Sequence, residues 1–464
     1  MEGTCMETSR VSMKERPQGP RVVIIGGGFG GLHAAKALAS EAVEVMLIDR
    51  KNHHIFQPLL YQVALGVLSP GEITASLRHI LRKSRNVHTI LGEVTEFDTT
   101  ARRVKLIDSA EIAYDYLIIA AGARHAYFGH DEWEKDAPGL KTIEDAVEIR
   151  SRLLRAFETA ERRAHLTGRQ DPLCFAVIGG GPTGVELAGA IADLARLALA
   201  KDFKAIDTTK ARVRLYEGSP RVLGTYSEES SRKAKQQLEQ LGVEVYSESM
   251  VTAVERGRIK VRDQWIETDV TLWATGVHPS PLGKKLGAPT DRAGRVLIEQ
   301  DLSVPGHREI FVIGDMSALT DASSTPVPGL AAAALQEGKA AAENILRDLR
   351  GDARRSFIYQ DRGILATIGH HRAVAQFGHR TFSGLIAWLL WSWVHIFLLI
   401  GFRNRVAVMS QWVWAYLTRQ GSSPLITEHQ QREFDLERAQ EPSTPGGNKG
   451  MEGYGLKQER VISR

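Results

Sequence analysis

The stretch RVVIIGGGFGGLHAAKALASEAVEVMLID, Arg21 to Asp49, restricts the fold more than any other in the chain. Arg21 to Ile25 is an apolar, β-branched run of strand type. It leads directly into Gly26-Gly27-Gly28-Phe29-Gly30-Gly31, after which Leu32 to Leu38 returns at helical spacing. Gly26 permits the tight turn, Gly28 lets the backbone approach a pyrophosphate, and Gly31 lets helix and strand pack closely, while the helix N-terminus supplies positive partial charge. Asp49 ends a second strand, Glu44 to Ile48, where its carboxylate accepts hydrogen bonds from an adenosine ribose. Strand, glycine turn, helix, strand and acid in that order predict a dinucleotide site.

The pattern recurs. Ile143 to His165 reads as a long polar helix and Cys174 to Ile178 as a strand; Gly179-Gly180-Gly181-Pro182-Thr183-Gly184 then repeats the glycine spacing before a helix over Val185 to Leu199. Val213 to Tyr216 is this unit's second strand and Glu217 its acid, after an extension through Ala198 to Lys210. Tyr116 to Ile119 ends at Ala120-Ala121-Gly122, and Val270 to Trp273 ends at the matching Ala274-Thr275-Gly276. Two such units in one chain predict one bound flavin and one exchangeable nicotinamide. The first unit takes the flavin, because Ile310 to Ile313 runs into Gly314-Asp315, where a carboxylate is placed for ribityl hydroxyls. The flavin set is therefore Gly26, Gly28, Gly31, Asp49, Gln57, Gly122 and Asp315. The NADH set is Gly179, Gly181, Gly184, Glu217 and Gly276. Glu217 favours NADH over NADPH, since a carboxylate accepts from a ribose 2′-hydroxyl but repels a 2′-phosphate, with Arg221 close enough to leave some NADPH use open.

Between these landmarks, His53 to Val63 is an aromatic and amide-rich loop, Gly71 to Ser84 reads as a helix, and Val87 to Phe97 with Arg102 to Ile107 as a strand pair. From Leu330 a small-residue helix carries Ala331 to Ala334 and Gln336 and continues to about Arg350. Glu186, one turn into the second glycine-motif helix, is by itself more a dipole-stabilising residue than a catalyst. The only two cysteines, Cys5 and Cys174, lie far apart, which excludes a CxxC redox pair, a cysteine zinc cluster and a disulfide framework. Sulfide:quinone and disulfide reductase chemistry fall with them, and no metal is called for. A net charge of +4 gives no case for nucleic acid.

Gly384 to Phe402, GLIAWLLWSWVHIFLLIGF, carries no Asp, Glu, Lys or Arg, and Arg403, Arg405 and the apolar, aromatic Val406 to Leu417 follow. Five of the eight tryptophans lie between Trp388 and Trp414, which reads as an interfacial belt. Belt tryptophans of a true span sit at its ends, whereas Trp388, Trp391 and Trp393 crowd the first half of this stretch. The expectation is a monotopic pair of helices lying in the interface, with the arginines at lipid phosphates.

With HHIFQPLLYQVA at His53 to Ala64, IFVIGD at Ile310 to Asp315 and HIFLLIGFRNRVAVMSQWVWAYLT at His395 to Thr418, the chain resembles type II NADH dehydrogenases over roughly Arg21 to Leu425. These are single-subunit, non-proton-pumping NADH:quinone oxidoreductases of respiratory membranes. The resemblance implies noncovalent FAD, NADH as substrate, and a membrane quinone and the cytoplasmic bilayer surface as partners. It places the glutamate matching Glu186 near flavin and quinone, and a helix reading AQxAxQ at the quinone site. Gln336 matches the second glutamine of that pattern, while Ala332 replaces the first. Whether two copies pair as a homodimer is left open.

The expected architecture is α/β, with two Rossmann-like dinucleotide-binding domains and a C-terminal membrane-binding helical segment. Its divisions are a flexible leader at 1–20, an FAD domain at 21–140 and 271–350, an NADH domain at 141–270, a membrane-associating segment at 351–420 and a disordered tail at 421–464.

Overall fold

The computed structural model describes residues 19–418 and 425–426, so the leader and tail lie almost wholly outside the described residues. The first unit runs through Arg21–Ile25 (β1), Phe29–Ala37 (α1), Glu44–Asp49 (β2), Val87–Leu91 (β3) and Tyr116–Ile119 (β4). β1 pairs in parallel with β2 on one side and β4 on the other, and β3 adds outside β2. Strands apolar on both faces need cover on both. Val22 and Ile24 pack with Leu32 and Ala35 of α1, whereas Val23 and Ile25 pack with Val104 and Leu106 on the opposite face.

The second unit follows Ile143–Thr167 (α2) and comprises Cys174–Ile178 (β5), Pro182–Asp193 (α3), Arg212–Tyr216 (β6), Val243–Tyr246 (β7) and Val270–Trp273 (β8). Its sheet is all parallel, in the order β7-β6-β5-β8. β8 carries on through Trp273, so the division expected between 270 and 271 cuts a strand of this sheet. The chain then returns to the first sheet as His307–Val312 (β9), parallel to β4, and continues into Ala331–Arg350 (α4).

Three expected elements differ. The helix expected over Gly71 to Ser84 is a short 3₁₀ turn at Pro70–Glu72, a strand at Thr74–Ser76 and a helix only at Leu77–Leu81. The strand pairs with His53–Ile55, giving that loop backbone partners that a helix could not. Val87 to Phe97 is two strands, broken at Gly92-Glu93: β3 joins the first sheet, and Val94–Asp98 pairs with Arg103–Leu106 in another. The helix over Val185 to Leu199 is α-helical to Asp193 and a π turn at Leu194–Ala198.

A hairpin sheet that the sequence reading did not place, Ile364–Gly369 (β10), Arg372–Phe377 (β11) and Arg380–Ser383 (β12), precedes the C-terminal helices. It lies tightly on α3: a Cβ on Gly189 would stand 1.5 Å from the Ile368 carbonyl oxygen. Leu385–Leu398 (α5) and Phe402–Thr418 (α6) follow, separated by a break in which Gly401 has φ +93°. At 1.5 Å per residue α5 is about 21 Å long, short of the ~30 Å bilayer core. Among the described residues no helix is long and apolar enough to cross a membrane. Arg405 does not point freely outward: its Nε donates to the Leu399 carbonyl at 2.8 Å and its guanidinium lies over the Phe397 ring.

Candidate active site

The two glycine motifs fold to one geometry. Gly26 and Gly179 have φ of +99° and +109°, a region that favours glycine, and a Cβ there would meet the Ala120 and Ala274 carbonyl oxygens at 2.3 and 2.4 Å. A Cβ on Gly31 or Gly184 would stand 1.9 or 1.8 Å from the carbonyl of the motif's first glycine, so helix and strand approach as closely as backbone allows. Gly28 and Gly181 face open space, the room a pyrophosphate needs. The acids repeat as well. Asp49 accepts from the Gly27 N–H at 2.5 Å and the Lys51 N–H at 2.7 Å, and Glu217 accepts from the N–H groups of Gly180 and Ser219, both at 2.6 Å.

Gly26, Gly28, Asp49, Gln57, Gly122 and Asp315 all line one cavity of about 470 Å³. Gly31 stands behind it as the packing residue. The cavity is mixed in polarity, with the Asp49 and Asp315 carboxylates on its wall, open backbone at Gly28 and the N-terminal turn of α4 contributing Ala331 and Ala334. That set fits FAD: an acceptor for ribose, amides for pyrophosphate and an acceptor for ribityl hydroxyls.

On the nicotinamide side, Arg221 does not offset Glu217: its guanidinium donates to the Tyr226 and Gly224 carbonyls of its own loop at 2.9 and 3.0 Å. Losing a charged acceptor matters by about 1.5–3 kcal/mol. Glu217→Gln is therefore expected to cut the NADH/NADPH ratio of kcat/KM about tenfold or more, measured by steady-state oxidation of each nucleotide; an unchanged ratio means that Glu217 does not read the ribose.

A second, apolar cavity of about 180 Å³ is lined by Tyr61, Gln62, Glu186, Trp388, Trp391 and Trp412 among others. Trp412 Nε1 donates to Gln62 Oε1 at 2.7 Å, fastening α6 to the short helix Leu60–Ala64 between β2 and β3. Burial pushes the Glu186 carboxyl up to about 8, against the pull of a hydrogen bond from the Thr367 backbone. A run of ring contacts lies between the two cavities: Phe29, which lines the first, meets Phe56 edge-on at 6.1 Å, Phe56 meets His395 at 6.1 Å, and His395 stacks at 4.3 Å on Trp391, which lines the second. Gln336 does not line the aromatic cavity. Its Oε1 accepts from Gln360 N–H and its Nε2 donates to Gln360 O, both at 3.0 Å, so a head-group contact requires that pair to open.

A model of the pyridine nucleotide-disulphide oxidoreductase family matches residues 20–338, and one of the NDH2 C-terminal domain matches residues 362–420. Type II NADH:quinone oxidoreductase Ndh of Mycobacterium tuberculosis is 44% identical, covering 89% of this chain and 92% of its own. The chain belongs to the type II NADH:quinone oxidoreductase family. As a type II NADH:quinone oxidoreductase it carries FAD and transfers electrons from NADH through the flavin to a quinone. NDH2 of Plasmodium falciparum, solved in complex with NADH, has the same fold, with a TM-score of 0.80 at 21% identity over 88% of this chain and 100% of that one. So has the sulfide:quinone oxidoreductase of Aquifex aeolicus, with a TM-score of 0.67 at 19% identity over 94% and 100%.

Sequence reasoning passed over three groups that this oxidoreductase brings to the site. Lys141 Nζ approaches Asp315 Oδ2 at 3.4 Å, at the mouth of α2. Glu337, buried in α4, accepts a short hydrogen bond from the Gly314 N–H, and burial with the nearby Asp315 charge raises its carboxyl to about 7. Asp193 stands on α3 beside the aromatic cavity. A glutamate in an alanine-rich helix and an aspartate ending an apolar one were the available signals, but each is also what an exposed helix position shows.

Proposed function

We propose that the flavin set and NADH set bind as named above, with FAD held noncovalently, and that the aromatic cavity receives the quinone head group. The observation that carries this is the two-sidedness of α5 and α6. Trp391 and Trp412 turn inward to the cavity, while Trp393, Phe397 and Trp414 of the same helices are exposed. Such faces suit the acyl boundary of a bilayer and let a quinone pass from lipid to cavity without crossing water. When bound, FAD supplies the two-electron chemistry that links hydride donor to quinone. The chain's own part is to hold each partner in place, to exclude water with the Phe29, Phe56, His395 and Trp391 rings, and to keep a proton on Glu186.

The same reading sets the protein on the cytoplasmic face of a respiratory membrane, where NADH is available and a chain with two cysteines is at ease. It takes the reaction as non-pumping, since pumps carry ionisable groups through spanning helices. The domain divisions stand as proposed, with β8 assigned to the NADH domain.

The test is Glu186→Gln in the FAD-loaded protein. Anaerobic bleaching of the flavin by NADH is expected to persist, while reoxidation by quinone slows about a hundredfold, within the range of general acid catalysis. Wild-type reoxidation is expected to fall as pH rises through about 8, where Glu186 loses its proton, and the variant to lack that limb. Normal reoxidation of the variant would remove the quinone from this cavity.

A further inference from the structure

Glu186 and Asp193 lie seven residues apart on α3, two turns of a 3.6-residue helix, hence on one face and about 10 Å apart along the axis. Both line the aromatic cavity. Asp193 also lines a second cavity, of about 740 Å³, which is polar and walled by Arg196, Arg232, Lys233, His371 and Arg372. Asp193, Leu197 and His370 belong to both cavities and so form the partition between them.

Polar groups accompany both carboxyls in the shared cavity. The end of β10 bonds both carboxyls: the Thr367 backbone bonds to Glu186, and the His370 N–H donates to Asp193 Oδ2 at 2.7 Å. The Tyr61 hydroxyl accepts from Gln62 Nε2 at 2.8 Å, shares a hydrogen bond with the Thr367 side chain and feels the charge of both Glu186 and Asp193. Tyr61 thus sets a buried hydroxyl in the same cavity as the two carboxyls.

The reaction needs a proton. A hydride brings two electrons and one proton, whereas reduction of a quinone to its quinol takes two electrons and two protons, so each turnover draws one proton from water. We propose that this proton enters at Asp193 from the polar cavity and passes through the aromatic cavity, which Asp193, Tyr61 and Glu186 all line, to Glu186, which delivers it to a quinone oxygen. Asp193 touches no reacting atom and acts only through Glu186; the proposal rests on the aromatic cavity being the quinone site.

The charge arrangement agrees. Burial raises Asp193 to about 6, opposed by the His370 N–H and by Arg372 and Arg196, so affinity for the proton increases inward towards Glu186 at about 8. The charged and titratable groups around Asp193 are Arg196 beside its own helix, Tyr61 across the aromatic cavity, Arg232 and Lys233 from the helix Glu228–Gln240, and His370, His371 and Arg372 from the β10–β11 turn; α5 lines the aromatic cavity with Trp388, Trp391 and Ser392, none of them charged. Those near Glu186 are Tyr61 and Tyr226.

Asp193→Asn is the discriminating variant, because asparagine still accepts from the His370 N–H but carries no transferable proton. With full-length, FAD-loaded protein and a short-chain quinone, stopped-flow reoxidation is expected to slow about tenfold, a part of what acid catalysis supplies. Its solvent deuterium isotope effect should rise and its pH dependence near 6 disappear. Anaerobic bleaching by NADH should be unchanged, and Asp193→Glu should restore most of the rate. Reoxidation within twofold of wild type, an equal loss in both half-reactions, or a glutamate variant as slow as asparagine would overturn the relay. A Glu186→Gln protein that reoxidises normally overturns the quinone site and the relay together. A slow Glu186→Gln beside a normal Asp193→Asn overturns the relay alone.

Discussion

Asp315→Ala is expected to come off a size-exclusion column colourless, at one tenth or less of the wild-type ratio of flavin absorbance to protein. The residue sits in a turn the fold has fixed in advance: Gly314 has φ +71°, its N–H is held by the buried Glu337, and β9 delivers it to the cavity rim beside β4. Charged hydrogen bonds contribute about 1.5–3 kcal/mol each. Removing the carboxylate takes away that acceptor and leaves Lys141 facing the ribityl chain without its counter-charge. Both effects weaken binding, and together they amount to roughly a hundredfold or more. Asp315→Asn, which keeps an acceptor, should retain more flavin than alanine. A yellow, fully loaded Asp315→Ala protein would show that the ribityl chain is bound elsewhere.

The second large effect is expected at the membrane. Trp393 is 68% and Phe397 61% exposed on α5, and their rings stack at 5.7 Å, so they form a largely exposed apolar surface. Burying such a side chain is worth ~1.5–3 kcal/mol. Trp393→Glu with Phe397→Glu is therefore expected to reduce co-sedimentation with liposomes at least about a hundredfold while NADH still bleaches the flavin. High salt alone should not release the wild type. Undiminished sedimentation of the double variant would place the anchor on another surface. Deleting everything after Asp361 would not isolate the anchor, because it also strips Ile368, Val374 and Trp391 from the core.

Much of this was legible because it is local. A glycine at φ near +100° with a carbonyl 2.3 Å from its missing Cβ admits no other residue, so Gly26 and Gly179 announce their conformation wherever they occur. The acids closing the second strands follow by the length of a strand–helix–strand unit, and Asp315 by its place after an apolar run. The same local reasoning misread Gly71 to Ser84, where the segment's helical spacing was overridden by the need of His53–Ile55 for a strand partner. Nor does local spacing show that the extended segment at Gln360 engages both ends of the Gln336 amide.

The sequence by itself determined two dinucleotide units, their order, the acid that closes each second strand and the apolar character of the C-terminal helices, because backbone sterics and residue polarity act between near neighbours in the chain. Only the tertiary structure decided that Tyr61, Glu186, Asp193, Thr367, Trp391 and Trp412 share one cavity, and that a polar cavity meets it at Asp193. Those residues come from segments hundreds of positions apart, and their carboxyls are ordinary until the hairpin of β10 and β11 and the inward faces of α5 and α6 remove the water around them. Burial raises their proton affinity, and burial belongs to the packed assembly rather than to any stretch of the chain.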